Sequence, residues 1–185
     1  MLKTSIHVLG ISGSLRKASV NSGLLRTASQ VLPEGMTLEI YDLSTIPLYN
    51  GDVDAAGAPE PVLDFKRHIA AADALLIATP EYNYSMPGVL KNAIDWASRP
   101  AKESPLNGKP LAILGAGGIS GTARAQLNLR QVAVFTNMLP LNKPEVIIQR
   151  AWEKFDAQGN PTDETILPQV RALLEALLAW TRRLG

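Results

Sequence analysis

"IHVLGISGSLRKASVN", residues 6–21, is the stretch on which the fold turns. Its first half, 6–11, is a short run rich in branched apolar residues, the composition of a buried strand. Its second half is a loop of glycine, serine and two cations, and a helix-like stretch follows from about Asn21. Strand, short polar turn and helix in that order open a β–α unit. Such a turn is either a plain helix cap or a seat for an anion.

The same unit recurs down the chain. Apolar runs at 6–11, 37–43, 74–79, 111–116 and 145–149 alternate with segments of helical periodicity at about 21–32, 60–72, 87–98, 121–135 and 163–183. Five β–α pairs predict an α/β fold, one open parallel sheet covered by helices on both faces. The segment 87–98 starts after Ser85, a candidate cap, and has Pro87 in its first turn. Its apolar residues Val89, Leu90, Ala93, Ile94 and Ala97 share one face, and Pro100 closes it. Ile166, Val170, Leu173, Leu174 and Leu177 form the stripe of the last helix, which reads as core.

Composition narrows the class. At 185 residues the chain is expected to form one domain, 1–185. With 46% hydrophobic and 19% charged residues it has the balance of an ordinary globular protein. No apolar run reaches the roughly 18 residues that a bilayer demands, so no membrane partner is expected. The start of the chain reads as the lead into a first strand, not a signal peptide, and a cytoplasmic location is expected. Eighteen basic against seventeen acidic residues argue against nucleic acid, which favours a concentrated basic face. There is no cysteine, which excludes disulfides and thiolate chemistry. His7 and His68 have no metal-ligand spacing, and no metal site is expected.

Three loops carry the unusual residues, each at the carboxyl end of a predicted strand, where ligands bind in doubly wound sheets. In the first, Gly10 and Gly13 permit a tight turn, Ser12, Ser14 and Ser19 offer hydroxyls, and Arg16 offers a fork of donors. Asn21 or Ser22 is a candidate cap for the helix. A P-loop is absent, since neither lysine of this region follows a glycine, and this disfavours a nucleoside triphosphate. On residue types alone, capping by Ser19 and Asn21 with a solvated Arg16 stays open. The second loop, "TPEYNYSMPGVLKNAIDW" from Thr79, joins two prolines, two tyrosines and asparagines, a mixture able to hold a flat heteroaromatic ring. The third, "GAGGISG" (115–121), matches a dinucleotide fingerprint loosely. It lies on the fourth strand and lacks the expected downstream acid, so it reads as a glycine-rich wall.

With these residues in view, "GSLRKASVN" (13–21) and "PEYNYSMPGVLKNAIDWASR" (80–99) closely resemble the signatures of the NADPH-dependent FMN reductase family, which includes bacterial quinone, chromate and azo-dye reductases. "IPLYNGDVD" (46–54) and "NKPEV" (142–146) look like family segments as well. The resemblance runs from the first strand to about residue 150. It implies a flavodoxin-like fold with strand order 2-1-3-4-5, non-covalent FMN, NADPH or NADH as co-substrate, and a homodimer or homotetramer with the flavin near the subunit interface. It further implies that Ser14, Arg16, Ser19 and Asn21 hold the FMN phosphate, with Val20 in the same cofactor-binding stretch. Pro80, Glu81, Tyr82 and Asn83 would flank and edge-bind the isoalloxazine, largely through backbone groups. Gly115, Gly117 and Gly118 would form the other wall. Relatives often carry a hydroxyl residue early in that third loop, where this chain has Ala116.

What the resemblance implies chemically is hydride transfer from NAD(P)H through bound FMN to a small-molecule electron acceptor such as a quinone. Such chemistry belongs to the cofactor, so no catalytic side chain is assigned. Glu81, Tyr82, Arg99 and the loop 47–54 are candidates for the acceptor face. An electron-carrying flavodoxin would share fold and cofactor, but such carriers are strongly acidic and this chain has a formal charge of +1. A receiver-type signalling module would need an acid where Thr79 and Pro80 stand. Release of FMN as a reduced product is the third alternative.

Overall fold

In a computed structural model that describes residues 5–185, the alternation read from the sequence is realised as a three-layer α/β arrangement. The chain runs β1 (Ile6–Ser12), α1 (Val20–Gln30), β2 (Met36–Tyr41), α2 (Gly51–Ala56), α3 (Glu60–Ala71), β3 (Ala74–Ala78), α4 (Gly88–Ala97), β4 (Pro110–Ala116), α5 (Ala123–Thr136), β5 (Leu139–Pro140), β6 (Val146–Ile148) and α6 (Ile166–Leu184). All pairings are parallel, in the order β2-β1-β3-β4-β5, with β6 also on β4. This is the expected flavodoxin-like order. Residues 1–4, where the chain leads into the first strand, lie outside the described residues.

The period-2 alternation of the strands divides two apolar layers. Val8, Leu76 and Leu114 point to a core built with Leu24 and Leu25 of α1 and Ile166, Val170 and Leu174 of α6. Leu9, Leu75, Ile77 and Ile113 point the other way, to Phe65 and Ile69 of α3, Leu90, Ile94 and Trp96 of α4, and Leu129 of α5. Every residue of β3 and β4 is buried, as strands covered on both faces require.

Three local readings are corrected. The fifth strand position is two fragments: β5 pairs with Pro110 and Leu111 at the start of β4, β6 with Leu114–Ala116 at its end. Pro140 and Pro144 lack the N–H groups a continuous ladder would use, so the sheet has six strands where the spacing predicted five. Ser85 does not cap α4. Its backbone exchanges hydrogen bonds with Tyr82, both 3.0 Å, and Pro87 occupies the cap position. The short helix α2, which begins within 46–54, was not anticipated. That segment is fastened to α4, where Asn92 accepts from the Tyr49 N–H and donates to the Pro47 carbonyl, each at 2.8 Å. The buried Trp96 indole N–H donates to the same carbonyl at 2.8 Å.

Candidate functional site

The first loop ends where Ser19 caps α1. Its hydroxyl accepts from the N–H groups of Asn21 (3.2 Å) and Ser22 (3.3 Å), while its own O–H stays free to donate. Among the described residues the Val20 N–H, first in the helix, has no partner, nor do those of Lys17 and Ala18. Arg16 is exposed and its guanidinium pairs with no acid among the described residues. With no acidic residue in the first turn of α1, these donors and the positive end of the helix form one uncompensated electropositive patch.

Asn21 is placed differently from a ligand to an anion. Its carboxamide is buried, donating to the Ala116 carbonyl and accepting from the Ala116 N–H, both at 3.0 Å. The side chain therefore ties the start of α1 to the end of β4 and brings the first loop beside the third.

The second loop forms a tight turn. Tyr82 and Ser85 close it with their reciprocal backbone bonds, and Asn83 and Tyr84 sit at its tip with φ of 49° and 67°. The N–H groups of Glu81 and Asn83 are left without partners among the described residues. The Glu81 carboxylate, 7% exposed, turns away to the start of α5, accepting from the N–H groups of Arg124 (2.9 Å) and Ala125 (3.1 Å) and from Arg124 Nε (2.7 Å). The Arg124 guanidinium lies 3.7 Å from the centre of the Tyr84 ring. Gly13 lets the first loop approach the second, since a Cβ there would stand 3.1 Å from Pro80.

In the third loop the glycines differ. A Cβ on Gly115 would stand 2.3 Å from both Thr122 Oγ1 and the Thr79 carbonyl, whereas one on Gly118 would meet open space. Gly115 is thus a support beneath the site, and Gly118 is its bare wall.

These loops enclose a cavity of about 420 Å³, within the usual range for small-molecule sites. Ser14, Arg16, Ser19, Val20, Asn21, Pro80, Glu81, Tyr82, Gly117 and Gly118 line it. Gly115 and Asn83 do not, and neither do Arg99 and the loop 47–54, which pack away from it; the Arg99 guanidinium lies 5.7 Å from the Tyr49 ring centre. Ala18 and Ala116 line it too, and Ala151, Trp152, Phe155, Asp156 and Ala157, which complete the lining, were missed from the sequence. They follow β6, so the rule that loops at strand carboxyl ends build the site would have found them had it been extended to the fifth strand. The turn 156–160 is seated closely on α1: Gly159 has a φ of +78°, and a Cβ on Gly23 would stand 1.7 Å from the Gly159 carbonyl. Asp156 shapes this turn by accepting from the N–H groups of Asn160 (2.7 Å) and Gln158 (2.9 Å), bonds that hold its carboxyl below the ordinary 3.8.

Free donors at a helix N-terminus, a bare glycine wall and a proline–tyrosine turn with unpaired N–H groups match a phosphate carrying a flat, hydrogen-bonding ring. A family model for NADPH-dependent FMN reductases matches residues 6–153. The chain belongs to this family. Among its relatives, an NAD(P)H-dependent FMN reductase of Pseudomonas aeruginosa is 58% identical over 184 residues, covering 99% of each chain. An NADPH:quinone oxidoreductase of Arabidopsis thaliana is 42% identical over 189 residues, covering 99% of this chain and 95% of its own. The solved structure of FerB, a flavoenzyme NAD(P)H:(acceptor) oxidoreductase from Paracoccus denitrificans, superposes with a TM-score of 0.87 at 36% identity, covering 97% of this chain and 99% of that one. Family membership thus agrees with the fold and with the donor set described above.

Proposed function

We propose that this protein is an FMN-dependent NAD(P)H oxidoreductase with quinones as acceptors, and that the cavity at the carboxyl end of the sheet is its flavin site. The observation that carries the site is the meeting of two unlike elements in one cavity: the donor cluster at the start of α1, and residues 80–82 with Gly117 and Gly118. FMN, when bound, supplies a ring able to take hydride from NAD(P)H and return electrons to a quinone.

The protein's part is to bind and orient. In our reading Arg16, the hydroxyls of Ser14 and Ser19, and the Val20 N–H hold the phosphate; Asn21 acts by fixing the two loops to each other. The N–H group of Glu81 is the donor for the ring edge, where a donor favours negative charge. Tyr82, half exposed, and Pro80 flank the ring, while Gly118 leaves one face uncovered for close approach. Trp152, 63% exposed at the rim, adds an aromatic surface.

We further propose that residues 1–185 act as one FMN-binding unit, a reading supported by the single sheet that both apolar layers share. Assembly as a homodimer or homotetramer is supported by α5, which leaves Leu127, Val134 and Phe135 exposed. A cytoplasmic location fits a protein that draws on NAD(P)H. Among the described residues no helix is long and apolar enough to cross a membrane. The deciding experiment is anaerobic addition of NAD(P)H to protein reconstituted with FMN: the bound flavin should bleach and recover its colour when a quinone is added. A flavin that keeps its absorbance would refute the reading.

A further inference from the structure

Tyr84 occupies a backbone conformation that its side chain disfavours. With Asn83 before it, it forms the pair of left-handed residues inside the reciprocal Tyr82–Ser85 bonds, the geometry of a two-residue turn that prefers Asn-Gly. Asn tolerates this region, whereas Tyr pays a steric cost from its Cβ. Something outside the turn must hold it. The contact is the Arg124 guanidinium against the Tyr84 ring, and Arg124 is in turn bonded to Glu81 at the other end of the same turn. The helix start is also incomplete without Glu81, because the hydroxyl of the cap residue Thr122 accepts from no backbone N–H of α5 and meets only the Gln126 amide, at 3.1 Å. The buried carboxylate of Glu81 takes the N–H groups of Arg124 and Ala125 instead, an N-cap supplied from another loop.

We propose that Glu81 is a positioning residue for the flavin: its carboxylate anchors the turn 80–84 to α5 and, through Arg124 and Tyr84, locks the turn in the shape that aims the Glu81 N–H group at the ring edge. This rests on the FMN reading above. It differs from a ligand role, because the carboxylate points to the helix and is fully engaged there.

The test is FMN titration of the wild type, E81A, E81Q and the double variant E81A/Y84G, each shown to be folded by circular dichroism and measured well below its melting temperature. E81A should weaken FMN binding about tenfold or more, and E81Q, which keeps an acceptor for the helix N–H groups, should lose less. In E81A/Y84G most of the affinity should return, because Asn-Gly adopts the turn without a clamp. Amide exchange at Tyr82, Ser85, Arg124 and Ala125 should quicken in E81A and slow again at Tyr82 and Ser85 in the double variant. Wild-type affinity in E81A, or a loss that Tyr84→Gly does not repair, would overturn the proposal while leaving the FMN reading intact. Failure of the wild type itself to bind FMN would overturn both.

Discussion

Replacing Asn21 separates a residue that builds the site from one that touches its ligand. In Asn21→Ala the Ala116 N–H and carbonyl each lose a partner at 3.0 Å, and Ala116 is only 1% exposed. A buried backbone group left unpaired costs about 1–3 kcal/mol, so two of them sum to roughly 2–6 kcal/mol. That is a large part of the roughly 5–15 kcal/mol by which domains of this kind are stable. Urea unfolding of the FMN-free protein, followed by circular dichroism, should show the midpoint falling with little change in slope. Asn21→Asp is a sharper version. It keeps an acceptor for the Ala116 N–H but sets a carboxylate oxygen against the Ala116 carbonyl, so it should destabilise at least as much as alanine. A loss below about 0.5 kcal/mol in Asn21→Ala, the scale of an ordinary surface change, would refute the assignment of Asn21 to the scaffold.

Three other outcomes are expected. Arg16→Ala should leave urea stability unchanged, since the guanidinium has no partner among the described residues, and should weaken FMN binding by about 1.5–3 kcal/mol in a fluorescence titration. Gly118→Ala should fold normally yet bind FMN poorly, because its methyl enters open space in the cavity; Gly115→Ala should instead be destabilised, its methyl meeting the Thr79 carbonyl and Thr122 Oγ1 at 2.3 Å. Asp156 has a folded-state pKa below its ordinary 3.8, so its contribution to stability is present above that value and is lost as the pH falls through the lower folded one. Melting temperature should therefore drop as the pH is taken below about 4, and Asp156→Asn should make that drop shallower, with Asp163, also held low by Thr165, retaining part of it.

The parallel sheet was legible because β3 and β4 are fully buried, and continuous apolar runs leave little ambiguity. The broken fifth strand was not, since pairing of Leu139 and Pro140 with β4 is set by tertiary neighbours and leaves no periodic signal in two residues. In the site, glycine, serine and arginine announced themselves by type. Glu81 and Asn21 did not disclose their direction: nothing local says that one carboxylate reaches α5, 43 residues on, or that one carboxamide reaches Ala116, 95 residues on. Trp152 and Phe155 went unnoticed because a lone aromatic after a strand reads as core until the neighbouring loops are in place.

The divided fifth position also bears on solubility. A long, regular edge strand presents a row of unpaired N–H and carbonyl groups on which another chain can grow a sheet. Here that edge is two fragments of two and three residues, with Pro140 in one and Pro144 in the gap between them. An incoming strand finds neither the length nor the donors for a continuous ladder on that side. A partly unfolded neighbour has little purchase on that side from which to start an aggregate.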